Sequence, residues 1–73
     1  MAGTMREHNR RAVVRLLLSF GFRSLGGPHE KFVHSNGRLT VVPRQTTISA
    51  GACRKIVRQV GISPQRFDRM VRR

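Results

Sequence analysis

The chain has 73 residues, with 15 Lys and Arg against 3 Asp and Glu, giving a formal net charge of +12. A chain this short buries only roughly 60% of its unfolded surface, which limits it to one small domain and excludes a deep pocket for a large cofactor. Its single cysteine excludes an internal disulfide, and its longest apolar run, Leu16-Leu17-Leu18, is far too short to span a bilayer.

Thr4-Met5-Arg6-Glu7 has the spacing of a capping box, which predicts a helix beginning at Met5. Val13, Leu16, Leu17 and Phe20 then form one apolar stripe, Arg11 and Arg15 fall on another face, and Gly21 ends the helix. Phe22 to Leu25 reads as a short first strand, broken by Gly26-Gly27-Pro28. From His29 to His34 the period becomes two, placing Glu30, Phe32 and His34 on one side and His29, Lys31 and Val33 on the other. Asn36-Gly37 predicts a type I′ hairpin turn, and Arg38 to Pro43 is the return strand. Gln45 to Ile48 reads as a polar loop. Ser49 caps a second amphipathic helix carrying Cys53, Ile56, Val57 and Val60, which Gly61 closes. Ser63-Pro64 starts a third, short helix with Phe67, Met70 and Val71 on one side.

The order α-β-β-β-α-α predicts an α+β domain over residues 1–73, with a core at about 5–61 and a C-terminal helix at about 64–72. Two helices on one face of a three-stranded antiparallel sheet leave the other face for function. No basic helix carries the exposed aromatics of a membrane-surface segment, and the N-terminus lacks the pattern of a signal peptide, so a cytoplasmic location without a membrane partner is expected.

The cations are nearly all arginine, whose planar fork matches phosphate oxygens and stacks on bases, so nucleic acid is the first expected partner and an acidic protein the second. His29 is the residue on which chemistry can turn. If Phe32 points into the core, alternation puts His29 and Lys31 on the accessible face. An imidazole titrates near pH ~6.5 and can take or give a proton at neutral pH. Metal-free RNA cleavage needs such a group beside the 2′-hydroxyl, with cations on the phosphate oxygens. The same residues are also compatible with an ordinary turn into an ordinary strand. His8 reads as a solvated side chain, His34 as a partly buried or edge histidine, and Cys53 as a small core residue. No two His or Cys positions have metal-ligand spacing, so neither a metal nor another cofactor is expected.

A wider pattern bears on His29. An amphipathic helix ending in Gly21-Phe22 is followed by Gly27-Pro28-His29-Glu30-Lys31-Phe32, by a hairpin strand ending in Val42-Pro43, and by Gly51-Ala52-Cys53-Arg54-Lys55-Ile56-Val57-Arg58-Gln59-Val60-Gly61-Ile62-Ser63. In this order, over roughly Ala12 to Phe67, these segments resemble the HicA family of bacterial type II toxins, small mRNA-cleaving ribonucleases neutralised by HicB antitoxins. The resemblance implies a fold like the double-stranded-RNA-binding domain and an essential histidine, which maps onto His29. It also implies mRNA as substrate and an acidic HicB-like partner. Lys31 and the arginines Arg23, Arg38 and Arg44 are the expected RNA contacts, and Gly27 and Pro28 the backbone entry to the histidine. Two positions depart from the family pattern. Proline replaces the usual serine before the histidine, removing both a hydroxyl and an amide N–H, and Glu30 follows it. The alternative is a non-catalytic, small basic RNA-binding protein of the same architecture. A DNA-contacting role for Ser63 to Arg73 is disfavoured by the lack of a preceding helix-turn-helix pattern.

Overall fold

A computed structural model describes residues 5–72. The elements are β1 (His8–Asn9), α1 (Arg10–Ser19), β2 (Arg23–Gly26), β3 (Glu30–Val33), β4 (Leu39–Val42), β5 (Thr47–Ile48), α2 (Ala50–Val60) and α3 (Pro64–Val71). The three-stranded antiparallel sheet has the order β2-β3-β4, and the predicted α-β-β-β-α-α order is present. The architecture is α+β, matching the expected likeness to the double-stranded-RNA-binding domain.

Helix ends follow local chemistry. At the end of α1 the Phe22 N–H donates to Leu17 O (3.0 Å) and the Gly21 N–H to Leu18 O (3.1 Å), the paired bonds of a Schellman motif. Ser49 accepts from the Ala52 N–H and Ser63 from the Arg66 N–H, so both serine caps are made as expected. Ile48 and Cys53, either side of the Ser49 cap, are both fully buried.

The first helix begins later than its sequence pattern predicts. Thr4 lies outside the described residues, Met5 to Glu7 are not helical, and Asn9 is the cap, its side chain accepting from the Arg11 N–H at 2.9 Å. The cause is tertiary: His8 and Asn9 pair with Ile48 and Thr47, and the Arg10 N–H donates to Thr46 O at 2.8 Å. The segment read as a polar loop thus contains β5. His8 is not a solvated side chain either. Its ring meets Phe67 edge-on at 5.7 Å, its side chain is 8% exposed, and Nε2 lies 3.1 Å from Asp68 Oδ1.

The core joins Val13, Leu16 and Leu17 of α1, Phe32 and Val42 of the sheet, Cys53, Ile56, Val57 and Val60 of α2, and Phe67 and Val71 of α3. Register sorts the sheet into faces. Ser24, Phe32 and Thr40 lie opposite one another on the inner side, where Thr40 is fully buried and donates to Gln59 Oε1 at 2.7 Å. Arg23, Val33 and Leu39 form a row on the outer side, and Lys31 faces Val41 beside them. The β3–β4 hairpin forms as predicted but closes differently. Its loop is Ser35-Asn36-Gly37, closed by the Gly37 N–H on His34 O and the His34 N–H on Arg38 O. Only Gly37 has positive φ (+93°), so this is a three-residue loop and not a type I′ turn.

Candidate functional site

β2 and β3 are joined by the turn Gly27-Pro28-His29, with a bulge between Ser24 and Gly26 on the approach. Gly26 and Gly27 both have positive φ (+74° and +101°), a backbone that side chains other than glycine adopt with strain. Pro28 contributes a fixed φ and no N–H. His29 is therefore the last residue of the turn and not the first of the strand, which begins at Glu30. Its side chain is exposed and makes no hydrogen bond among the described residues. Lys31 is also exposed, and Phe32 is fully buried, as the alternation predicts.

The turn is held by its neighbours. Glu30, next to His29, is only 15% exposed at its side chain. One of its carboxylate oxygens, Oε1, takes a close ion pair from Arg10 at the start of α1, with Arg44 Nη1 at 3.6 Å; the other, Oε2, accepts from the Ser24 hydroxyl. The Ser24 oxygen in turn accepts from the Gly26 N–H at 3.1 Å. Arg10 Nε donates to Pro43 O at 2.8 Å, and Arg44 donates to Gly27 O from Nε (3.2 Å) and Nη2 (3.1 Å). The hydroxyl of Ser24 first, then the Arg10 guanidinium, hold the Glu30 carboxyl below the usual carboxylate range against the opposing effect of burial.

The expected site residues divide into two groups. Gly27, Pro28, His29, Lys31 and Arg44 gather at the β2–β3 turn. Arg23 and Arg38 belong to the other end of the sheet, where Arg23 pairs with Val33 and Arg38 adjoins the β3–β4 loop. His29 and Val33, the strand partner of Arg23, are four residues apart, about 13 Å at ~3.3 Å per residue, with Lys31 midway between them. Arg38 is also occupied there, Nη1 donating to Gln59 O at 3.2 Å. Arg44, expected as a phosphate contact, binds the backbone of the turn. The carboxylate cluster of Arg10, Ser24 and Glu30 was not legible from the sequence, since its members lie in three different elements.

The remaining candidates have structural explanations. His34 Nδ1 accepts from the Asn36 N–H at 3.0 Å, which leaves Nε2 to donate to Phe20 O at 2.8 Å. Its ring also meets Phe22 edge-on at 5.0 Å. Cys53 is fully buried, and burial pushes its thiol up to about 11. Among the described residues no three His, Cys, Asp or Glu side chains are grouped to hold a metal, and no helix is long and apolar enough to cross a membrane.

A family model described as the HicA toxin of bacterial toxin-antitoxin systems matches residues 10–62. The chain belongs to the HicA toxin family. The match runs from Arg10 through the whole sheet and α2, so it contains His29 and the Glu30 cluster, while α3 lies beyond it. A search of curated proteins finds no significant match. Membership of the HicA family carries a toxin role and, in general terms, an antitoxin partner.

Proposed function

We propose that this HicA toxin is a metal-independent endoribonuclease acting on mRNA, with His29 as general acid or base. The observation that carries the reading is an exposed imidazole with no structural bond of its own, on a turn anchored from three sides in a protein of net charge +12. An imidazole so placed can take a proton from a 2′-hydroxyl or give one to a leaving oxygen, while Lys31 on the adjoining strand offers charge to the phosphate. Among the described residues only two carboxylates pair with Lys or Arg, Glu30 with Arg10 and Arg44, and Asp68 with Arg72, so most of the positive charge is unneutralised within the fold.

The restraining partner is proposed to be an acidic, HicB-like antitoxin that covers the His29 end. The outer sheet face supports a protein partner: Leu25 and Leu39 are 56% and 45% exposed, beside half-buried Val33 and Val41 and the cations Arg23 and Lys31. No aromatic side chain occurs among these residues, so the face lacks an aromatic platform for stacking bases.

Incubation of the purified chain with RNA in EDTA tests the reading. Cleavage that is lost in His29→Ala, with the circular dichroism spectrum unchanged, is the expected result. Retained cleavage in that variant defeats the role of His29. Salt-sensitive RNA binding without cleavage by the wild type returns the chain to the non-catalytic RNA-binding alternative.

A further inference from the structure

We propose that Glu30 is a positioning residue: its carboxylate, held by Arg10 and Ser24 and approached by Arg44, keeps the Gly26–His29 turn in one conformation and so sets the position of the His29 imidazole. The proposal rests on the ribonuclease reading for its consequence, but not for its structural content.

The turn needs an external clamp. Two consecutive positive-φ glycines open backbone states that other residues adopt only with strain, and Pro28 cannot donate a backbone hydrogen bond. What limits these states is a chain of bonds converging on the residue beside His29. Ser24 links the Glu30 carboxylate to the Gly26 N–H on the entering side of the turn. Arg44 links the same carboxylate to Gly27 O within it. Arg10 ties the assembly to Pro43 O at the end of β4 and to the first residue of α1. Helix, sheet and turn thus meet at one side chain that does not itself reach the exposed face. His29 is left free of structural bonds because Glu30 makes them. Such division of labour suits a proton-transfer group, for which a displacement of ~1 Å can cost about 100-fold in rate.

The test compares wild type, Glu30→Gln and Glu30→Ala at a temperature where circular dichroism shows all three fully folded. The first readout is the backbone amide spectrum of residues 26–29, measured by NMR without RNA. Sharp single resonances are expected in the wild type, with exchange broadening or multiple resonances in Glu30→Ala. The second is single-turnover RNA cleavage at saturating RNA. A fall of about 100-fold is expected for Glu30→Ala and a smaller one for Glu30→Gln, with RNA affinity changed less than about twofold. A merely structural role would lower the folded fraction and leave the rate per folded molecule unchanged. An ordered turn in Glu30→Ala, or a cleavage rate within about twofold of wild type, overturns the proposal. A wild-type chain that leaves RNA intact, with a turn that loosens in Glu30→Ala, upholds the clamp and defeats the ribonuclease reading instead.

Discussion

The two ends of the same sheet each carry a histidine next to a glycine-containing turn, and they use it in opposite ways. At the β3–β4 end, His34 spends both ring nitrogens on backbone groups and packs its ring edge-on with Phe22. At the β2–β3 end, His29 spends neither, and Glu30, Ser24, Arg10 and Arg44 make the bonds that hold the turn. A histidine whose nitrogens are both engaged is a strut. One that stands free on a braced turn is available for chemistry. The distinction lies in the partners of each ring and not in residue type or distance from a glycine.

Paired substitutions test this contrast most strongly. His29→Ala is expected to lower RNA cleavage by about 10²- to 10⁴-fold, the usual range for a general acid or base, with little change in melting temperature. His34→Ala is expected to do the reverse, costing about 1–3 kcal/mol as the Phe20 carbonyl and Asn36 N–H lose their partner, read by urea unfolding. Cleavage per folded His34→Ala molecule stays near wild type. Equal effects of the two substitutions on cleavage would erase the contrast.

The turn glycines sharpen it. Gly27→Ala and Gly37→Ala each place a side chain at positive φ, at a cost of about 1–2 kcal/mol. Only Gly27→Ala is expected to reduce cleavage beyond its loss of folded protein, because only that strain is passed to His29.

Acid separates the two ends more gently. The folded Glu30 carboxyl lies below its ordinary value, so its contribution to stability is present above the unfolded value and is lost as pH falls through the folded one. Amide signals of residues 26–29 should therefore hold through the ordinary carboxylate range and broaden below it. In Glu30→Gln this acid-dependent step should be absent.

Association with the proposed acidic antitoxin is expected to be the smallest lever on the comparison. Its on-rate should fall steeply with added salt, and replacing Lys31 by Ala should flatten that dependence slightly.

Much of the architecture was legible because its causes are local. Alternation around Phe32, the apolar stripes of the helices, the Ser49 and Ser63 caps and the Asn36-Gly37 hairpin each depend on residues within one turn or one strand pair. Two departures are local, the three-residue hairpin loop and the strand start at Glu30; the others fall where distant segments compete with local signals. Pairing of His8 and Asn9 with Thr47 and Ile48 moves the helix start to Arg10, past the pattern beginning at Thr4. The same pairing turns a polar loop into β5, and Phe67 with Asp68 draws in His8.

The candidate site divides along the same line. The sequence by itself determined that His29 would lie beside a permissive glycine pair, that Phe32 would anchor the strand behind it, and that the chain would carry a large positive charge. These are properties of neighbouring residues or of composition. Only the tertiary structure decided that Arg44 grips the turn, that Arg23 and Arg38 sit at the far end of the sheet, and that Glu30 is its hub. Arg10, Ser24, Glu30 and Arg44 meet because α1 and the sheet pack together, and hydrogen bonds between such distant positions leave no periodic trace in the chain.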